Sequence, residues 1–155
     1  MRAAQISLTG LDVEWRRLEI ITENLANMNT TRAGAGGPYR ARHLVSGPRV
    51  GFDAYLHRSG NATAAPAAVA GAIEPDEIGG VMVYGIEVDR APPRMVREPG
   101  NPDADAEGLV AYPNIDHAEQ MTLMVKTTRA YEANIVAMNA ARQMYAKALE
   151  LGKRS

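Results

Sequence analysis

IDHAEQMTLMVKTTRAYEANIVAMNAARQMYAKALELG, residues 115–152, is the stretch around which the rest of the chain is organised. Read in steps of three and four, it yields Met121, Met124, Thr128, Tyr131, Ile135, Met138, Arg142, Tyr145 and Leu149, seven of the nine apolar or aromatic. Lys126, Arg129, Glu132 and Lys147 fall off that seam. A 3–4 repeat with charges to the side predicts a long helix that packs on another helix. Asp116 supplies an N-cap and Glu119 stands three residues on, as in a capping box, while Gly152 marks the stop. A helix of this length spans roughly 50 Å, more than a small core needs, so its seam calls for a partner of similar length.

Ala3–Met28 carries the same spacing at Ala4, Ser7, Leu11, Glu14, Leu18, Ile21, Leu25 and Met28, with Trp15 and Ile20 beside the stripe. This is the candidate partner, from the same chain or from another subunit. Gly10 costs about 1 kcal/mol of helix propensity relative to Ala and leaves room for close helix approach. After it, Asn27 and Asn29 tolerate the left-handed conformation that ends helices, and Gly34, Gly36, Gly37 and Pro38 continue as a flexible link.

The period then changes to two. Val50, Phe52, Ala54 and Leu56 predict one strand, Met82, Tyr84, Ile86 and Val88 another, and Tyr39–Val45 a weaker one. Ser59–Ala72 is Ala-rich and reads as a surface loop. Pro92, Pro93, Pro99 and Pro102 predict an irregular connection to the last helix. The expected organisation is therefore an N-terminal helical segment (1–31), a small β-rich region (32–115, with the loop at 59–72) and the long C-terminal helix (116–155). The fold class is α+β, with the two helices paired as an antiparallel coiled coil.

Charge and composition narrow the function. The 155-residue chain has a net charge of −1, which gives no general attraction to nucleic acid or anionic membrane. Arg32–Arg58 holds five arginines against Asp53, and Glu74–Glu107 holds nine acids against three arginines. Opposed blocks invite pairing within the chain or between copies. With no cysteine there is neither disulfide nor thiolate site. No apolar run reaches membrane-span length, and the amino terminus lacks the apolar core of a cleavable signal. General secretion rules then place the chain in the cytoplasm unless a specialised route reads an uncleaved terminus.

Asp103, Asp105, Glu107 and Gly108 imitate the start of a calcium loop, but Asn114 stands where the bidentate Glu belongs and no helix pattern precedes it. His43, His57 and His117 are isolated, and no serine lies in a nucleophile-elbow context. The residues therefore predict a non-enzyme with no cofactor and no metal. Met121, Met124, Met138 and Met144 suit either core filling or a surface that packs against non-identical neighbours.

The two ends resemble a known family. Asn24-Leu25-Ala26-Asn27-Met28-Asn29-Thr30 is similar to the N-L-A-N-x-N-T motif of bacterial flagellar axial proteins, and Ala130-Tyr131-Glu132-Ala133-Asn134 to the pattern on their paired terminal helix. Gly37–Arg42, Gly80-Val81, Pro99–Ala104 and Tyr112–Ile115 resemble the FlgC type of proximal-rod proteins within that family. Ser59–Ala72 matches no family motif. The resemblance implies a structural subunit of the basal-body rod, exported unfolded by the flagellar type III apparatus without a cleaved signal. It would assemble in the periplasm with copies of itself and related rod proteins.

The residues expected at the assembly seams are Leu11, Trp15, Leu18, Ile21, Leu25, Met28, Met121, Met124, Tyr131, Ile135, Met138, Tyr145 and Leu149. Those matching the family motifs are Asn24, Leu25, Ala26, Asn27, Asn29, Thr30, Tyr131, Ala133 and Asn134. Two rivals stand beside this reading. One is a cytoplasmic coiled-coil adaptor binding a partner helix; the other is a small hydrolase or calcium module in the β-region.

Overall fold

The computed structural model describes residues 2–34, 36–50 and 78–152. In chain order the elements are α1 (Arg2–Ala26), β1 (Arg42–Val50), β2 (Ile78–Val88), β3 (Arg94–Arg97), β4 (Leu109–Tyr112) and α2 (His117–Gly152). The class is α+β, with a helix at each end and two two-stranded sheets, β1–β2 and β3–β4, between them.

The start of α2 and the end of α1 have local causes. The Asp116 carboxylate accepts from the Ala118 N–H at 2.8 Å and the Glu119 N–H at 3.4 Å, so it caps α2 as the sequence predicts. At the end of α1, the Asn27 side-chain amide donates to the Glu23 carbonyl at 2.9 Å, and the Thr30 N–H donates to the Asn27 carbonyl at 3.0 Å. No non-glycine residue among those described has positive φ. The left-handed ending expected at Asn27 or Asn29 is therefore replaced by Asn27 itself, whose backbone N–H, at 3.1 Å, and side-chain amide both donate to the Glu23 carbonyl. Ala33 and Gly37 then pair with each other, the Ala33 N–H meeting the Gly37 carbonyl at 2.7 Å, and Gly36 takes φ 87°.

The β-region departs from expectation in two places. Residues 92–115, expected to be irregular, contain β3 and β4, antiparallel with Arg94 opposite Tyr112 and Arg97 opposite Leu109. Four-residue strands are too short to show a period, and this pair is set by its turn. Asp105 Oδ1 accepts from the Glu107 and Leu109 N–H groups at 2.9 and 2.8 Å, and Gly108 takes φ 75° with Pro99 close against it. Of the acids that imitate a calcium loop, Asp105 is thus turned to the backbone of its own turn and Asp103 to Thr31 and Arg32. The weak strand expected at Tyr39–Val45 is β1, which starts at Arg42 and runs on to Val50, and the Met82–Val88 strand lies within β2. Of the strand expected at Val50, Phe52, Ala54 and Leu56, all but Val50 lie outside the described residues, as does the 59–72 loop.

The chain forms two compact units. One is built from Met1–Val13, Ser46–Tyr84 and Glu132–Ser155. Here Ser7, Gly10 and Val13 of α1 are buried, and a Cβ at Gly10 would stand 2.9 Å from the Asn134 amide, so the missing side chain makes room for α2. Tyr84 of β2 lies over Gly47 of β1 and donates to the Pro48 carbonyl at 2.8 Å. The Thr9 hydroxyl accepts from the Val81 N–H at 3.1 Å while donating to the Ile6 carbonyl at 2.7 Å, which joins α1 to β2.

The other unit is built from Glu14–Val45 and Gly85–Tyr131. Its core holds Ile20, Ile21, Tyr39, Ala41 and the fully enclosed Val110 of β4, together with the polar side chains of Asn24, Gln120 and Thr127. Trp15 lies near Tyr131 and Asn24 touches Gln120. Moving forward along α1 thus moves backward along α2, and within this unit the two segments run antiparallel.

Gly80 is the most constrained position of the sheet, because at φ 111° a Cβ would collide with the Thr9 hydroxyl. Gly80→Ala is expected to lower stability by about 2 kcal/mol or more, read by thermal unfolding. Adding Thr9→Ala returns only part of the loss, since it clears the space but leaves the strained φ.

Candidate assembly site

Asn24 is 1% exposed and uses its whole amide. Its Nδ2 donates to the Arg42 carbonyl at 2.9 Å and to Gln120 Oε1 at 3.3 Å. Its Oδ1 accepts from the Arg42 N–H at 2.9 Å and from the Tyr39 hydroxyl at 3.0 Å. One side chain therefore fastens α1 to the start of β1, to the preceding loop and to the first turn of α2. A buried amide satisfied on all four sides fixes one arrangement, because any slip orphans several partners at once.

The rest of the N-terminal motif closes the same junction. Asn27 and Thr30 tie their own turn, with Thr30 Oγ1 donating to Asn27 Oδ1 at 3.2 Å, and the Thr30 carbonyl accepts from the Tyr39 N–H at 3.0 Å. Asn29 and Ala26 are exposed and Leu25 is half-buried. Two residues further on, Thr31 and Arg32 grip the two oxygens of Asp103, each at 2.6 Å. Asp103 is in turn held by a bond from its N–H to Asn101 Oδ1 at 3.0 Å, and Asn101 and Tyr112 both donate to Glu98 Oε2. The Pro99–Asp103 motif is thus a seat for the segment that follows α1. Arg32 with Asp103 is also one contact between the opposed charge blocks, made within the chain.

Two tyrosines are shifted by this packing. Burial of Tyr39, and next the nearby Glu23 carboxylate, push its phenol above the ordinary value, with Arg42 opposing. Tyr112 is raised first by the hydrogen bond it donates to Glu98.

The expected seam residues divide between buried and exposed. Ile21 is buried; Leu11, Leu18, Leu25, Met28, Met124, Tyr131, Ile135 and Met138 are half-buried; Trp15, Met121, Tyr145 and Leu149 are exposed. Asn134 is half-buried against Gly10 and Ala133 is exposed. The stripes enclosed by the chain itself are Ser7, Gly10, Val13, Ile20, Ile21 and Asn24 on α1, and Gln120, Thr127 and their half-buried neighbours on α2. Ser7 and Ile21 lie on the seam read in the sequence, while Gly10, Val13, Ile20, Asn24, Gln120 and Thr127 each stand one position before a seam residue. Reading apolar periodicity alone missed Val13, Gln120 and Thr127. Five of the enclosed positions, Ser7, Gly10, Asn24, Gln120 and Thr127, are polar or glycine, and a count of apolar residues gives them no weight.

Three features define what the geometry can do. It contains a rigid polar junction, a pair of long helix segments, and a row of exposed apolar side chains that includes Val125, Val136, Met144 and Leu151. It offers surfaces for packing. Among the described residues no group of three or more histidines and carboxylates is placed to hold a metal.

Comparison with known proteins adds the family context. Residues 5–33 match the family model described as flagella basal body rod protein, and residues 106–151 match flagellar basal body rod FlgEFG protein C-terminal. The flagellar basal-body rod protein FlgC of Bacillus subtilis is 40% identical over 96% of this chain and 95% of its own length. Its namesake in Borreliella burgdorferi is 32% identical over 94% of this chain and 93% of its own. That of Escherichia coli O6:H1 is 33% identical, with 96% and 94% covered.

Asn24→Ala is expected to cost about 3 kcal/mol in denaturant unfolding, since it leaves the Arg42 amide, the Tyr39 hydroxyl and the Gln120 amide short of partners. Tyr39→Phe removes a single donor and is expected to cost about 1 kcal/mol at neutral pH. Because the folded phenols of Tyr39 and Tyr112 hold their protons to higher pH than the unfolded ones, their contribution is complete below pH ~10 and falls as the pH rises beyond it. Tyr39→Phe should make that alkaline decline shallower, and adding Tyr112→Phe shallower still.

Proposed function

We propose, from the premise that this chain belongs to the FlgC family of flagellar basal-body rod proteins, that α1 and α2 pair as an antiparallel coiled coil and together carry its assembly surfaces. The protein is a structural subunit of the rod and not an enzyme, and its place is the flagellar basal body. Its partners are copies of itself and homologous rod subunits. It reaches the periplasmic rod through the flagellar type III apparatus, without a cleaved signal.

The observation that carries the assembly reading is where the apolar surface lies. The segments matched by the two rod-family models take in most of α1 and nearly all of α2, the second reaching back over β4, and these helices expose Leu8, Trp15, Met121, Val125, Val136, Met144, Tyr145 and Leu149. Monomeric soluble chains rarely leave so much large apolar surface open along adjacent elements. From Arg142 to Gly152 every α2 residue is exposed, Tyr145 and Leu149 among them, although both lie on the continuation of the expected seam. A subunit whose seams are completed by neighbours has this distribution; a self-contained adaptor would enclose its own seam.

Hydrogen exchange separates the two. In the purified chain, amides beyond about Asn139 should exchange rapidly, and in assembled rods they should be strongly protected. Protection of that stretch already in the monomer would favour the adaptor. Leu18→Asp and Ile135→Asp each place a carboxylate where an apolar side chain is at least half enclosed, and each should abolish rod assembly and motility. Normal rods in both variants would remove the helices from the assembly surface.

A further inference from the structure

We infer that Trp15 of one copy seats in an apolar cleft on the next copy, the cleft lined by Leu8, Met138, Ala141, Met144 and Tyr145 with Arg142 among them. This rests on the reading of the chain as a self-assembling rod subunit, and it names one contact within that assembly.

The knob is prepared for burial. Trp15 is 55% exposed, yet its ring is fixed from two sides: Tyr131 lies 6.4 Å away at an interplanar angle of 48°, and the indole N–H donates to Glu19 Oε1 at 3.0 Å. A side chain already held in place loses little rotamer freedom on docking. With its only polar atom satisfied, the indole can be desolvated without orphaning a donor. Tryptophan is also among the residues that most often anchor interfaces.

The cleft answers it in size and charge. It has a volume of about 540 Å³ and lies between the first turns of α1 and the later turns of α2. Arg142 offers a guanidinium to the face of an incoming indole, and the Glu19 carboxylate that travels with Trp15 meets that same cation. Knob and cleft belong to different units of the chain. Because the two are separate patches, a copy whose knob fills a neighbour's cleft still has its own cleft to offer to another knob, so the contact can be repeated from copy to copy.

The test uses the full chain and its single tryptophan as the reporter. Tryptophan emission and sedimentation are followed together over a rising protein concentration. Association should shift the emission to the blue. Trp15→Ala and Ala141→Phe, each checked for an unchanged circular dichroism spectrum, should weaken association about tenfold or more. An equimolar mixture of the two has one intact knob and one intact cleft, so it should stop at one-to-one pairs. Glu19→Arg should weaken association, and Arg142→Glu in the same chain should restore it even if Ala141→Phe perturbs the fold. A wild-type chain that stays monomeric throughout, emission unmoved by association, or Trp15→Ala associating as tightly as wild type would each overturn the contact. Basal bodies isolated from cells keep the two claims apart. Absence of the wild-type chain from the rod sinks the rod-subunit reading itself, whereas its presence with undiminished incorporation of Trp15→Ala sinks only the contact.

Discussion

The amide of Asn24 is the constraint on which one half of this molecule depends. It bonds on all four sides to Arg42, Tyr39 and Gln120, at 1% exposure. A buried amide contributes little net stability when satisfied and costs several times as much when deprived. Its effect is thus selective: the end of α1, the entry to β1 and the first turn of α2 meet in one arrangement, and nearby alternatives leave donors and acceptors stranded. The Thr31–Arg32 grip on Asp103 extends that junction to the β3–β4 hairpin through Asn101 and Glu98.

Around this junction the helices divide their surfaces. The faces closed within the chain are narrow and contain glycine, serine, threonine, asparagine and glutamine as well as aliphatic residues. Small and polar side chains permit close approach and fix register, as Gly10 against Asn134 illustrates. The larger apolar side chains, Trp15, Val136, Met144 and Leu149, lie outside those faces. Such a division suits a subunit that must be held in one shape by polar contacts and joined to its neighbours by hydrophobic ones.

The sheets play a supporting part. Two-stranded sheets are marginal by themselves, and each is fastened to something else here. In one unit Thr9 bonds to Val81 beside Gly80, and in the other Val110 of β4 is enclosed in the core. The family motifs in the middle of the chain occur at these fastenings. Gly80-Val81 is where a helix hydroxyl enters the strand, and Pro99–Asp103 is where the loop after α1 is seated.

What the sequence alone determined is what depends on local periodicity and chemistry. The 3–4 spacing from Met121 onward and the Asp116 cap were enough to place a long terminal helix, and alternation from Met82 to Val88 was enough to place β2. The short motifs around Asn24 and Tyr131 were enough to name the family. The tertiary structure decided the rest. It kept Ser7 and Ile21 of the apolar seam enclosed but placed most of the other enclosed positions one residue away from it, because Asn24, Gln120 and Gly10 are buried where the helix segments meet and a hydrophobicity count gives such residues no weight. It formed β3 and β4 where prolines suggested irregular chain, because strands of four residues are defined by their pairing and by the Asp105–Gly108 turn, not by a period. It also ended α1 through the side chain of Asn27 instead of a left-handed residue. These are outcomes of which partner a polar group finds across the chain, and that choice is made only when distant segments come together.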